Sequence, residues 1–590
     1  MARSPIARVL LPLLFLTLIV IVTFGGAIKN SFVNWDDQKE ISENPHFNPV
    51  TLHSLAWNWN HTELSLYMPV TYMVWGGVAK LAGRDNPRAF HALNVVLHLI
   101  CTGLVFALIL QLWRRTVPAL IGALVFAVHP LQVEPVAWAS GMYTLLSTVF
   151  SLAAILAYVG SATRKSTSVP SAFVQPVLLS ANDPGFETTV EIRATGRAIL
   201  FFWIATFFYI LALLTKAASV SVPFAALVID VLILGRPLQT SIRSLMLWML
   251  LAIPIVFIAK SFQDVTSISV PSLWARPVVA LDAIGFYLSK IILPMHLIPD
   301  YGRNPAWVMR HGIAVMVSAG AAIMAILLAF IVRRNAAWIT AGLALLLAGI
   351  GPYLGLTAFD FQYVSTVADR YAYLGMVGIA LLAAGAAMRS RLAMVVIVLV
   401  VIVCIPVSRR QVSRWADTDT LFNYTLKVNP VSLVSHNVFG YLAAKRGEFK
   451  TAESNYKQGL DVWPQDATVH FNLANLYFRQ ASKSPSQRNQ LLNQALEHYS
   501  LAVKYQPNYP DFRNGLAATL ASVFQLNAAE AQWQVVLSQD PTDVNARNNL
   551  ADMLANMGRI GQAREQYQAV LQVDPDNAHA THSLRDLARN

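Results

Sequence analysis

Residues 391–430, RLAMVVIVLVVIVCIPVSRRQVSRWADTDTLFNYTLKVNP, decide the architecture. From Leu392 to Ser408 the stretch carries no charge. It has the length of a membrane span, which needs about 20 apolar residues, or somewhat fewer inside a bundle. Past Arg409 and Arg410 it turns polar and ends on Pro430. Every long apolar run of the chain lies before this point, and the rest reads as a water-soluble segment. Two domains are therefore predicted: a membrane domain over 1–410, with a first extracytoplasmic loop and interfacial helices over 29–87, and a soluble domain over 416–590. The bulk figures agree. Of 590 residues, 55% are hydrophobic and 13% charged, where soluble globular chains carry about 25% charged residues.

Downstream, prolines fall at 430, 464, 507, 541 and 575. Three of the intervals are 34 residues, and the long one holds the polar insertion SKSPSQRNQ, whose removal restores the same period. A 34-residue helix–turn–helix period is the tetratricopeptide signature. Each unit places a small residue twelve before its proline (Ala452, Ala495, Ala529, Ala563) and an aromatic eight before it (Tyr456, Tyr499, Trp533, Tyr567). Small residues let paired helices approach, and the aromatic fills the gap behind them. Four repeats are predicted, at about 431–464, 465–507, 508–541 and 542–575, with a leading half-repeat at 416–430 and a C-terminal capping helix. Such arrays offer a concave face to a protein partner, or serve as plain spacers.

Upstream, eleven spans are predicted: 6–28, 88–112, 117–129, 135–160, 198–215, 217–235, 243–260, 312–332, 336–356, 370–388 and 392–408. The stretches 66–83 and 276–294 are ambiguous, and charge decides them. Basic loops stay inside, and Arg3 with Arg8 puts the N-terminus in the cytoplasm. Reading both ambiguous stretches as non-spanning keeps Arg114–Arg115, Arg164–Lys165, Arg236, Arg333–Arg334 and Arg389–Arg391 inside as well. The C-terminus is then outside, with Arg409, Arg410 and Arg414 as the exception. Residues 9–28 show no A-x-A-like cleavage site before GGAIKNSF and read as a retained first span.

The net charge of +12 does not argue for nucleic acid, because the Lys and Arg residues punctuate apolar runs. Cys101 and Cys404 both lie inside such runs and build no disulfide framework. No Walker loop, dinucleotide fingerprint, zinc spacing or serine-nucleophile motif occurs.

The topology gathers ionisable residues on the outer face: Asp36 and Asp37, His129 and Glu134, Lys216, Asp300 with Tyr301, and Asp369 with Arg370. Ionisable groups at membrane depth are functional candidates by default, although single cations at helix ends often snorkel. In FVNWDDQKEISENPHF, residues 32–47, a carboxylate suits a general base or a metal ligand; it equally suits a helix cap before QKEI. His129, Glu134 and Trp138 could bind and stack on a sugar, or pin an interfacial turn. Lys216 and Arg370 could compensate a leaving phosphate. His91, Asn94 and His98 share one helical face and read as buried, satisfied groups.

FVNWDDQKEISEN, FHALNVVLH, HPLQVEPVAW, LLTKAASVSVP, LIPDYG and DRYAYLGMVGIALL, in this order ahead of tetratricopeptide repeats, resemble the transmembrane and tetratricopeptide repeat-containing O-mannosyltransferases. These are GT-C glycosyltransferases, related more distantly to the protein O-mannosyltransferases. The resemblance implies an all-α, polytopic GT-C bundle followed by an α-solenoid. It also implies transfer of a sugar from a polyprenyl-phosphate carrier to a protein hydroxyl on the extracytoplasmic side. By that resemblance Asp36, or its neighbour Asp37, is the catalytic carboxylate, and Lys216 and Arg370 meet the donor phosphate. His129, Glu134, Trp138, Asp300, Tyr301 and Asp369 would shape the sugar or acceptor pocket. The segment 276–294 would lie near the lipid carrier.

Charged residues of the family pattern are uncharged here at Met68, at Met142 and Thr144, and at Ala217, so the sugar stays open. The sequence specifies no cofactor, and a divalent metal at the carboxylates stays open. The expected location is a bacterial inner membrane with periplasmic repeats. The alternatives are a non-enzymatic membrane scaffold for envelope proteins and a lipid-linked-sugar transporter.

Overall fold

A computed structural model describes residues 7–47, 50–59, 66–165, 184–261 and 271–589. The chain is helical throughout, with no extended β-strand among the described residues. It divides into two compact units, the first running through Asn429 and the second holding Pro430–Asn590.

In the first unit, seven helices among the described residues are long and apolar enough to cross a membrane, which makes this a membrane domain. They include Pro87–Trp113, Met142–Thr163, Gly196–Thr215 and Arg391–Arg414. An eighth candidate is the bent pair Thr116–Val128 and Pro130–Ala137, which meet at 57°. Pro130 explains the bend, because it has no N–H to continue the helix. Three shorter apolar helices, Ala217–Ile233, Ala337–Tyr353 and Met376–Arg389, occupy the remaining predicted spans. The ambiguous stretches form the helices Pro69–Ala82 and Ala275–Ile292. Neither is among the helices long and apolar enough to span.

Packing in this unit relies on close backbone approach as well as apolar burial. A Cβ on Gly378 would lie 2.2 Å from the Gly342 carbonyl oxygen, and one on Gly349 would lie 2.3 Å from the Gly375 nitrogen. Only glycines let the Ala337–Ile350 and Met376–Arg389 helices come this near. The polar face at His91, Asn94 and His98 is buried and each residue is hydrogen-bonded, but the His91 Nδ1 and Asn94 Oδ1 atoms have no partner among the described residues, so the expected satisfaction is partial. Asn94 donates to the Trp138 carbonyl at 2.7 Å, and His98 pairs with the Tyr373 hydroxyl and the Ala127 carbonyl.

The predicted half-repeat lands elsewhere. Its helix, Thr418–Val428, is part of the first unit, so the division falls after Asn429 and not at 416. Ser31 N–H donates to the Ala416 carbonyl and Asn34 N–H to the Thr418 hydroxyl, both at 2.8 Å. The segment thereby holds the loop that leads to Asp36.

The second unit contains four helix pairs: Leu433–Arg446 with Phe449–Val462, Ala467–Lys483 with Arg488–Tyr505, Pro510–Ser522 with Leu526–Gln539, and Val544–Asn556 with Ile560–Val573. The helix Ala578–Arg589 follows. All four small residues and all four aromatics at the repeat positions are buried. A further regularity accompanies the repeats, one that the residue types alone do not announce. The residue six after each of the first four prolines donates to that proline's carbonyl: His436 at 3.1 Å, His470 at 3.0 Å, Arg513 at 2.8 Å and Arg547 at 2.9 Å. Two residue types thus do one job, satisfying a carbonyl left over by the preceding helix end.

Candidate functional site

The loop 30–37 follows the first span and carries the two aspartates into different environments. Asp37 is fully buried. One of its oxygens accepts from the Ser140 N–H and hydroxyl, at 2.9 and 2.7 Å, and the other from the Val33 N–H at 2.8 Å. Burial pushes its carboxyl up to about 6, against these hydrogen bonds. Asp36 is half-buried, and among the described residues its carboxylate accepts no hydrogen bond and forms no ion pair. Although partly exposed, it has lost enough hydration that burial raises its carboxyl to about 7. Arg370 opposes that rise, while Asp37 and Asp360 reinforce it.

Arg370 is the shared wall of the site. It lies at the short turn Asp369–Tyr371 and is 5% exposed, paired with Glu134 at 2%. Its guanidinium donates to one Glu134 oxygen and its backbone N–H to the other, at 3.0 Å. The cation sits over Phe361 at 4.5 Å, Tyr371 at 4.8 Å, Trp35 at 5.2 Å and Trp138 at 5.7 Å. Trp35 stacks on Trp138 with ring centres 5.0 Å apart. The family-like WDD and HPLQVEPVAW stretches therefore meet on Arg370.

On the other side of Arg370 is a narrow cleft of about 20 Å³. Lys216 enters it from an extended residue where two helices break (φ −159°, ψ 122°). Irregular backbone at membrane depth is tolerated where it lines a cavity. The Lys216 ammonium donates to the Thr144 hydroxyl at 2.9 Å and lies 4.7 Å from the Tyr143 ring centre and 5.3 Å from that of Tyr353. Tyr143 and Thr144 thus hold the lysine by uncharged contacts. Among the described residues no carboxylate pairs with Lys216.

The remaining candidates are placed as follows. Tyr301 donates to Asp369 at 2.7 Å; burial raises the Asp369 carboxyl well above the usual range. Neither of these two lines the cleft. Asp300 is buried in a turn, accepting from the Gly302 N–H at 2.9 Å. His129, expected near the sugar, lies 3.0 Å from the Ile291 carbonyl through Nε2 and accepts from the Leu131 N–H through Nδ1. It is a staple of the bent pair, with both nitrogens engaged. His129 and Asp300 also lie outside the cleft lining. Among the described residues no group of three or more His, Cys, Asp and Glu side chains is arranged to hold a metal ion.

The sequence reading missed the hydroxyl stripe Thr144, Ser147, Thr148 and Ser151, and the aromatic partners Tyr353 and Tyr371, stacked at 3.9 Å. The stripe was visible as a three-and-four spacing of hydroxyls in an otherwise apolar span. The tyrosines had no such signal.

A helical membrane unit with a buried acid–cation site, carried on one chain with a helical-repeat unit, defines the class: membrane proteins bearing tetratricopeptide repeats. Residues 438–484 and 544–577 match models of the tetratricopeptide repeat. The chain resembles the O-mannosyl-transferases of the transmembrane and tetratricopeptide repeat-containing family along most of its length. It is 24% identical over 531 residues to protein O-mannosyl-transferase TMTC3 of Mus musculus, covering 83% of this chain and 56% of that protein. It is 30% identical over 147 residues to TMTC1 of Homo sapiens, covering 23% of this chain and 16% of that protein. A third likeness, 40% over 78 residues, is to Tmtc1 of Drosophila melanogaster, covering 13% and 9%. The chain thus spans about half the length of the TMTC3 relatives it matches over most of its own. Among solved structures, a tetratricopeptide protein of Thermus thermophilus is 22% identical, covering 29% of this chain and 90% of that one, with a TM-score of 0.27.

Proposed function

We propose that this chain is a GT-C membrane glycosyltransferase that moves a sugar from a polyprenyl-phosphate donor to a protein hydroxyl on the extracytoplasmic face. In this reading all eleven apolar helices span, with the N-terminus inside and the repeats outside, in a bacterial inner membrane. One observation carries the proposal. Of the charges around Arg370, Asp36 accepts no hydrogen bond among the described residues, and Lys216, held by the Thr144 hydroxyl, has no carboxylate partner among them. A base without a hydrogen bond and a cation without a carboxylate are what attack by an alcohol and departure of a phosphate require. The relatives named as protein O-mannosyl-transferases support the same reaction class.

In the proposed step the acceptor hydroxyl gives its proton to Asp36 and its oxygen bonds to the anomeric carbon. The bond from that carbon to the phosphate oxygen breaks, and its electron pair leaves on the phosphate. Lys216 meets that charge, and Arg370, whose own charge Glu134 already balances, holds the wall. Asp37 keeps the loop in register. The repeats bind the acceptor protein or a partner that delivers it.

The test is mass spectrometry of extracytoplasmic proteins from cells with and without the chain, and with Asp36→Asn. Hexose-bearing peptides that depend on the active chain are expected. A scaffold without enzyme activity would produce no such peptides at any position.

A further inference from the structure

We propose that the junction segment 415–422 is a positioning part of the catalytic site, and that Thr418 and Phe422 hold the loop that presents Asp36. The proposal rests on the reading of Asp36 as the base and specifies what keeps that base in place.

The first ground is that the Asp36 side chain has no anchor of its own. Among the described residues its carboxylate accepts no hydrogen bond and forms no ion pair. Its place is therefore set by the backbone that carries it. One side of that loop is anchored by Asp37, which accepts from Ser140 and from the Val33 N–H. The other side is anchored by the junction. Ser31 N–H donates to the Ala416 carbonyl and Asn34 N–H to the Thr418 hydroxyl, both at 2.8 Å. Only Trp35 separates Asn34 from Asp36, so the Thr418 bond restrains the base at close range.

Packing is the second ground. Phe422 is fully buried and lies edge-on to the Trp35 ring, with centres 6.4 Å apart. Trp415 is also buried, its ring centre 6.3 Å from that of Trp138. Trp35 and Trp138 are the stacked pair beside the Arg370 guanidinium. The junction thus backs the aromatic wall of the site as well as the loop that enters it.

A plain linker has a different character. Linkers between domains are exposed and polar, and few contacts cross them. Here the chain forms a capped helix, with Asp417 accepting from the Thr420 N–H at 2.7 Å, and it buries Leu421, Phe422 and Thr425. At the far end of that helix Asn429 donates to the Asp300 carbonyl at 3.1 Å. The segment is therefore tied at both ends to loops of the membrane unit. A helix so tied is a rigid support, and sites supported by rigid elements hold their reacting groups more precisely than free loops do.

The test uses the purified full-length protein and two readouts. One is carbodiimide labelling of Asp36 against pH, read by tandem mass spectrometry, which needs no substrate. The other is transfer from a short-chain polyprenyl phosphate bearing one hexose, with total extracytoplasmic protein as acceptor. In the wild-type chain Asp36 is expected to label with a midpoint near 7, set by burial and by Arg370, Asp37, Asp360 and Lys39 around it. Thr418→Val removes the acceptor of the Asn34 N–H. A loop so freed lets water reach the carboxylate, and the midpoint moves down toward the ordinary value of about 4. With it kcat falls about tenfold or more while KM for the lipid holds, since a misplacement of about 1 Å costs about a hundredfold. Thr418→Ser keeps the oxygen and restores both readings. Phe422→Leu, which keeps an apolar side chain but loses the ring against Trp35, is expected to act in the same direction as Thr418→Val. An unmoved midpoint, or an unmoved kcat, in both Thr418→Val and Phe422→Leu overturns the positioning role and leaves Asp36 standing as the base. Full transfer by Asp36→Asn overturns that reading, and the positioning role with it.

Discussion

Asp37→Ala separates a structural aspartate from a chemical one. The substitution strips the buried N–H groups of Val33 and Ser140 of their acceptor. A buried donor left unsatisfied costs about 1–3 kcal/mol, so two cost about 2–6 kcal/mol. Against this, the variant relieves a carboxylate that burial has pushed up to about 6, worth about 3 kcal/mol at neutral pH. The net effect runs from about 1 kcal/mol of gain to about 3 kcal/mol of loss, centred on a loss near 1 kcal/mol, which lowers the melting temperature by about a degree. The pH dependence has a definite sign. A carboxyl raised on folding binds protons more readily in the folded chain, so its stabilising contribution is full below about 4. It is lost as pH rises through about 6, and Asp37→Ala removes that slope. Thermal unfolding by tryptophan fluorescence, run beside a sugar-transfer assay, reads both. Asp37→Asn keeps one acceptor oxygen and is expected to retain measurable transfer. Unchanged melting of Asp37→Ala together with abolished transfer in both variants would refute the anchoring role and make Asp37 the base.

Because Asp36 is raised to about 7 and a general base must be deprotonated, kcat/KM for transfer should rise with pH through about 7 and level off above it. A profile flat from pH 5 to 8 would contradict the assignment. Glu134→Ala leaves the Arg370 guanidinium buried without its counter-charge and should cost about 3–5 kcal/mol, read as loss of folded protein in detergent. In the repeats, Trp533→Ala empties a fully buried aromatic position and should cost about 3–5 kcal/mol, seen as new protease cleavage within residues 510–573. Gly515→Ala should behave similarly but more mildly, since a Cβ there would lie 2.3 Å from the Tyr499 ring.

How much of this was readable in advance depends on the range of the interactions. The repeats were legible because Ala452 and Tyr456 and their counterparts act within one helix pair, so the packing requirement recurs at a fixed offset. The donors six residues after the first four prolines recur as regularly, but as His436, His470, Arg513 and Arg547 they share no obvious residue class. What unites them is only a hydrogen bond. In the membrane unit, the charged stretches that meet on Arg370 were found from loop charge and the resemblance, without any distance. The two readings of His129, sugar contact and turn, stayed open in the sequence because its partner is the Ile291 carbonyl, and backbone carbonyls carry no sequence signature. Asp36 and Asp37 looked equivalent because Ser140, which claims Asp37, lies 103 residues away. The helix Thr418–Val428 ended on a repeat proline and so looked like a half-repeat, although its contacts are with the loop at Ser31 and Asn34.

The most direct measurement is transfer of a hexose from a short-chain polyprenyl phosphate to an acceptor protein by purified Asp36→Asn, quantified by intact-protein mass spectrometry. The account predicts a chain that melts as wild type does, still binds the donor lipid, and transfers at least a hundredfold more slowly, the low end of what a general base contributes. Transfer at the wild-type rate by a well-folded Asp36→Asn would contradict it.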